Sequence, residues 1–245
     1  MIYILRGEGI ECENESYRAL STLGFHTQFL NIADILNNSE ATQSLFIEND
    51  WLFLPGGFSF ADHLGSGRLL SFELEKSQFF QNIVKKGVSL FGVCNGFQIL
   101  VATSLFGDVK LLHNKDKKSE SMHFTDKWTK INFHFPDKKT DFSFPVRHGE
   151  GRLSIQKLAP DTEAWAYYED FHNGSDQKIA GLRRRIEKSW IIGLMPHPEI
   201  YTQVEAHPDY VWSEDSPEMR KAHASRYAAF FKSIFNENNL KESQT

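Results

Sequence analysis

Apolar runs too short for a helix alternate with longer amphipathic intervals along the first part of the chain. IYIL at residues 2–5 reads as a buried strand. ESYRALSTLG then carries Tyr17, Leu20 and Leu23 at helical spacing before Gly24 stops it. HTQFLNI and WLFLP are the next strands, and from Ser66 to Lys86 apolar positions such as Leu70, Leu74, Phe79 and Ile83 predict one helix, ended by Gly87. GVSLFGV (87–93) follows as a central strand. This alternation predicts an α/β fold, a mainly parallel sheet flanked by helices, because parallel neighbours need a crossover between them.

After Thr129 the pattern changes. TKINFHF, FSFPVRH, GRLSIQ, EAWAYYE and KIAGL are short β-like runs separated by Pro, Gly, Asp and Asn, which predicts a small antiparallel β extension of the same domain. WIIGLMP is a last buried strand, and SPEMRKAHASRYAAFFKSIF a closing helix with Pro217 in its first turn. One domain is expected over residues 1–236, with 237–245 a flexible polar tail; HNKDKKSESMHFTDK (113–127) is expected as an exposed loop.

Composition removes several function classes. A chain of 245 residues with 40% hydrophobic content can bury one sizeable core. Its formal charge of -5 gives no general attraction to polyanions, so neither nucleic acid nor a membrane surface is an expected partner. The opening MIYILRGEGIECENE turns polar too soon for a signal peptide, and no apolar run approaches bilayer length. Cys12 and Cys94 are the only cysteines, too few for a disulfide framework, and a reducing cytoplasm is the expected location.

In open α/β sheets the carboxyl ends of the strands form the site crevice. Four stretches fall there: PGGFSFAD after WLFL, CNG after LFGV, RHGEG after FSFPV and MPHPE after WIIGL. Cys94 stands between Gly92 and Gly96 where a strand gives way to a helix, a place where the exposed amides and the helix dipole favour a thiolate and small neighbours clear its path. The plain alternative is a buried small thiol. His197 and Glu199 are two residues apart; in extended backbone they share a side, and the carboxylate would fix the imidazole's orientation and tautomer. A surface loop is the plain reading of a lone His-x-Glu.

Gly56 and Gly57 close a strand, so N–H groups of Gly57 or Phe58 can serve as oxyanion donors beside that of Asn95, although Gly-Gly after a strand is also an ordinary turn. His148 and Glu150, between glycines, line a pocket or a turn. Neither a dinucleotide glycine pattern nor a P-loop occurs in the sequence, and no ligand run supports a metal site built on His148 and His197.

PGGFSFADHLGSG, GVCNGFQIL, HNKD, VRHGEG, NGS followed by IAGL, and GLMPHPE occur in the order seen in one family. The chain resembles, almost end to end, the glutaminase component of phosphoribosylformylglycinamidine synthase, a triad-type class I glutamine amidotransferase of purine synthesis. The resemblance implies that Cys94 attacks the side-chain amide of glutamine, that His197 shuttles a proton to the departing ammonia and that Glu199 orients His197. It implies an oxyanion hole at Gly57, Phe58 and Asn95, and a glutamine pocket to which Gln98, His148, Glu150 and Gly151 contribute. No cofactor is implied in this subunit; ATP and Mg are expected on a larger synthetase subunit that uses the ammonia to make formylglycinamidine ribonucleotide, in many family systems with a small accessory subunit.

The chain departs from the family pattern at Ala61, His63 and Gly65 after PGGFS, and at Ile200 in place of an arginine after PHPE, positions expected to bear on partner fit and gating. Two other readings stay open: another class I amidotransferase or gamma-glutamyl hydrolase using the same three residues, and a noncatalytic interaction protein on the same scaffold.

Overall fold

Where the chain is apolar on every position of a short run, the strand lies inside with both faces covered. Five strands run parallel in the computed structural model: β1 (Ile2–Arg6), β2 (Thr27–Asn31), β3 (Trp51–Leu54), β4 (Ser89–Val93) and, far along the chain, β11 (Ser189–Leu194); β3 and β4 are buried throughout, whereas β2, at the edge, buries only Leu30. The structure describes residues 1–57, 68–115, 124–135, 138–169, 173–213 and 216–235. Register aligns Ile4 with Phe29 and Phe53, Phe53 with Phe91, and Val93 with Leu194. The last residues of β3, β4 and β11 therefore end on one edge of the sheet.

Helices α1 (Glu13–Thr22), α2 (Ile32–Asn37), α3 (Ser39–Ser44), α4 (Arg68–Lys76), α5 (Phe79–Lys85), α6 (Asn95–Ala102) and α7 (Pro217–Phe235) complete the layers. The antiparallel extension is continuous with the main sheet, in the order β2-β1-β3-β4-β11-β10-β9-β6-β7, through β6 (Thr125–His134), β7 (Lys139–His148), β9 (Thr162–Tyr168) and β10 (Ile179–Ile186). β5 (Gly107–Leu112) and β8 (Arg152–Leu158) form a separate antiparallel pair. The α/β fold with a mainly parallel sheet, flanking helices and an antiparallel extension is the one expected from the alternation.

Helix α7 ties the two halves of the sheet together with aromatic rings. Phe230 stacks edge-on against Phe133, Phe142 and Phe144 of the extension, while Phe235 meets Trp51 and Phe91 of the parallel part. Such pairs contribute about 0.5–1.5 kcal/mol each beyond their burial. Among the described residues no helix is long and apolar enough to cross a membrane.

Several expectations are corrected. The single helix over 66–86 is two, α4 and α5, because Gln78 takes a left-handed conformation (φ 50°) between them. Tyr17 does not face the core: it is exposed and stacks on Phe29, and the buried face of α1 is Ser16, Ala19 and Leu20. In the stretch expected as an exposed loop, Asn114 is fully buried and Thr125 already opens β6, while 116–123 lie outside the described residues. The expected tail, 237–245, also lies outside them. Helices α2 and α3 and strand β5 were not foreseen.

Candidate active site

Cys94 caps α6 directly after β4 with φ 50° and ψ -106°, a strained conformation that costs of order 1–3 kcal/mol and clusters at functional sites. Packing leaves no room for larger neighbours. A Cβ on Gly92 would stand 2.6 Å from the Gly96 carbonyl oxygen, and one on Gly96 would overlap the carbonyl of Leu54 in β3. The turn is fixed by Cys94 N–H donating to Leu194 O at 2.8 Å, and the thiol points to Arg147 O at 3.6 Å. β4, β11 and β7 thus converge on one sulfur.

His197 follows β11, and its N–H donates to Pro145 O of β7 at 2.9 Å. Its Nδ1 lies 2.7 Å from Glu199 Oε1, with both side chains buried. The pair forms through a 3-10 turn over Pro198–Ile200 and not through the extended backbone expected from its spacing. Tyr227 of α7 holds that turn by donating its hydroxyl to Pro198 O at 2.9 Å. Burial alone would push the His197 imidazole down, but the Glu199 carboxylate, with Cys94 and Cys12 beside the ring, outweighs it and holds His197 well above its ordinary range. His197 Nε2 makes no hydrogen bond of ordinary geometry within the described residues.

A second thiol enters the same place. The segment before α1 is bound to the turn after β3: Glu11 and Cys12 N–H both donate to Gly56 O at 3.2 Å, and Ile10 bridges Gly57. The Cys12 thiol is thereby brought to His197 and Glu199, and burial pushes it above the ordinary range against a lowering contact with His197. Sequence reasoning weighed Cys12 only as a disulfide partner. Its position just beyond the carboxyl end of β1 was the signal that placed it in the crevice.

The 148–151 turn is a buried polar platform. Asn114 Nδ2 donates to His148 O at 2.7 Å and approaches His148 Nδ1 at 3.2 Å, while Asn114 Oδ1 accepts from Gly151 N–H at 3.2 Å. Asn173 Nδ2 donates to Gly151 O at 2.8 Å. Burial, with the positive charge of His197 second, pushes His148 down to about 3, so its ring stays neutral. From α6, Gln98 Nε2 donates to Glu150 O at 2.8 Å and its Oε1 accepts from Asn95 Nδ2 at 3.0 Å. The Glu150 carboxylate points outward, 3.4 Å from His113. Gln98, His148, Glu150 and Gly151 are therefore joined in one network, which also contains Asn114 and Asn173 from the HNKD and NGS stretches.

At the expected oxyanion turn, Gly57 has φ 149° and a Cβ there would overlap Gly9 O. Phe58, with Ala61, His63 and Gly65, lies outside the described residues. Asn95 is the first residue of α6, beside Cys94. Ile200 sits in the 3-10 turn with Glu199.

Over residues 1–234 the chain matches the family described as CobB/CobQ-like glutamine amidotransferase domain. It is 32% identical over 204 residues to the phosphoribosylformylglycinamidine synthase subunit PurQ of Thermotoga maritima, covering 78% of this chain and 83% of that one. To the subunit of the same name from Picrophilus torridus it is 31% identical over 224 residues, covering 80% and 85%. A chain in the structure of PurLQS from Thermotoga maritima shares its fold with a TM-score of 0.67 at 27% identity, over 96% of this chain and 97% of that one. The chain therefore belongs to the CobB/CobQ-like glutamine amidotransferases and, within them, to the PurQ family of synthase subunits.

Proposed function

We propose that the chain is the glutaminase subunit of phosphoribosylformylglycinamidine synthase and that Cys94, His197 and Glu199 carry out the hydrolysis. The observation that supports this assignment of roles most directly is a thiol on a strained strand-to-helix turn beside a buried imidazole that is itself held by a carboxylate at 2.7 Å.

Cys94 Sγ attacks the side-chain amide carbon of glutamine with the proton held on His197. The tetrahedral oxyanion is held by the Asn95 N–H and by the turn at Gly57 and Phe58. His197 returns the proton to the departing nitrogen, ammonia leaves and a thioester remains. Water then attacks the thioester, gives a proton to His197 and releases glutamate, with the thiol restored. Glu199 keeps one imidazole tautomer in place and stabilises the imidazolium formed on the way. Gln98, His148, Glu150 and Gly151 shape the glutamine pocket by fixing the 148–151 turn.

Ammonia released to bulk water would be protonated and diluted, so the product passes to a larger synthetase subunit, which binds ATP and Mg and makes formylglycinamidine ribonucleotide. A small accessory subunit completes the assembly, in the cytoplasm, and the working unit of this chain is one domain over residues 1–236. The test is glutamate release by wild type and Cys94→Ala, each alone and with the synthetase, ATP and formylglycinamide ribonucleotide. Loss of glutaminase in the mutant, with amidine formation retained on added ammonium salt, is expected. Cysteine-independent turnover would remove Cys94 from the mechanism.

A further inference from the structure

Cys12 has no task in the hydrolysis just described, yet its thiol stands inside the site. Cys12 Sγ, a ring nitrogen of His197 and a carboxylate oxygen of Glu199 lie within 4.8 Å of one another. Two of these partners carry polar atoms left over: His197 Nε2 and Glu199 Oε2 are buried with no hydrogen-bond partner among the described residues. Leaving such an atom unsatisfied is costly, and nearly all buried polar groups find a partner. Catalysis accounts for Nε2, which must face Cys94. It does not account for the free carboxylate oxygen, nor for a second thiol beside it.

The donor set points to a class of ligand. One thiolate, one imidazole and one carboxylate match the sulfur, nitrogen and oxygen ligands of zinc-like cations, whereas magnesium and calcium take oxygen alone. With metal bonds of about 2.0–2.3 Å, ligand atoms in a tetrahedral site stand roughly 3.3–3.8 Å apart; the three atoms here lie within 4.8 Å of one another, close to that spacing. Cys12 is partly exposed, which gives an entry path. Glu8, Glu11, Glu13 and Glu15 flank it in the chain and make that entry negative.

We propose that Cys12, His197 and Glu199 form a binding site for a thiophilic divalent cation of the zinc class, and that its occupancy stops glutamine hydrolysis by taking the imidazole that Cys94 needs. Binding releases the Cys12 thiol proton and one imidazole proton of His197 to solvent and involves no oxidation. The inhibitory half of the proposal rests on the glutaminase reading; the binding half does not.

The experiment titrates the full-length, reduced, metal-free chain with Cd2+, read by sulfur-to-cadmium charge-transfer absorption, and with Zn2+ in competition with a chromophoric chelator. Wild type and Cys94→Ser are expected to bind with similar affinity, and Cys12→Ser and Glu199→Gln to bind at least about tenfold more weakly. Cys12→Ala, with circular dichroism on every variant, separates loss of a ligand from loss of fold. In the assembled synthase, Zn2+ is expected to inhibit glutamate release reversibly to chelator. The half-inhibiting concentration should rise at least about tenfold in Cys12→Ser relative to that variant's own metal-free rate. No binding by the wild type overturns the proposal, as does equal affinity of wild type and folded Cys12→Ser, which would place the ion on Cys94 and His197 alone. Intact Cys12-dependent binding with no glutamate release by any metal-free sample would instead fault the glutaminase reading and leave the ion site standing.

Discussion

His197 Nδ1 and Glu199 Oε1 are 2.7 Å apart across a single proline, and neither side chain reaches solvent. Nδ1 therefore donates its proton to the carboxylate, and Nε2 is the nitrogen left to exchange a proton with Cys94. Glu199→Gln keeps the size of the side chain but lets its amide donate, which favours the opposite tautomer. The expected outcome is a loss of glutaminase kcat of about a hundredfold to ten-thousandfold with KM changed little. Steady-state kinetics on the assembled synthase check it, and a kcat within about threefold of wild type would show that the carboxylate does not set the tautomer.

Gly96→Ala tests the close approach of β3 to the cysteine turn. The added methyl would overlap the Leu54 carbonyl, which is backbone and buried in the sheet. We expect destabilisation by about 2–4 kcal/mol, seen as a Tm lower by roughly 5–15 °C. Gly24→Ala is the control of opposite kind: Gly24 has φ 85° with nothing near its missing Cβ, so only the left-handed conformation is penalised, by about 1 kcal/mol. Similar losses at the two positions would show that packing at the turn is looser than its geometry.

How much of this was legible in the chain depends on how local the cause is. The turn at Cys94 could be read because Gly92, Cys94 and Gly96 declare it within five residues of sequence. His197 and Glu199 could be read as a pair, yet the 3-10 turn that joins them depends on Tyr227 from α7, which no local pattern reveals. Cys12 enters the site through Gly56, far away in sequence. Asn114 was hidden by its neighbours: a lysine-rich polar stretch reads as solvent-exposed, although this one amide satisfies the backbone of the 148–151 turn. Gln78 splits a helix that its apolar spacing presents as continuous, because periodicity does not register one left-handed residue.

The neutral, buried His148 makes acid stability a direct readout of the platform. Its folded value, about 3, lies below the ordinary 6.5, so between these limits the unfolded chain binds more protons than the folded one. Stability thus falls as pH falls, by about 1.4 kcal/mol per pH unit from this group, and the contribution is fully retained above 6.5. Lowering the pH from 6.5 to 5 should remove about 2 kcal/mol. Urea unfolding of wild type and His148→Gln at both pH values checks this. The variant should be less stable at the upper pH but have a shallower pH dependence; parallel curves would mean that His148 is charged in the folded chain.

Tyr227→Phe asks whether the closing helix acts on the chemistry or only on the fold. The Tyr227 hydroxyl donates to Pro198 O at 2.9 Å from a buried position. Burial first and the Glu199 charge second hold the phenol well above its ordinary range, so it remains a neutral donor. Removing the hydroxyl leaves the proline carbonyl without its donor and should lower stability by about 1–2 kcal/mol. Because Pro198 lies between His197 and Glu199, the same change should loosen both and reduce kcat by about tenfold, with KM near wild type. A fall in stability alone, measured on enzyme shown to be folded at the assay temperature, would make Tyr227 a packing residue. A fall in kcat that persists far below the unfolding transition makes it a positioning residue, acting through the turn that carries both partners of Cys94.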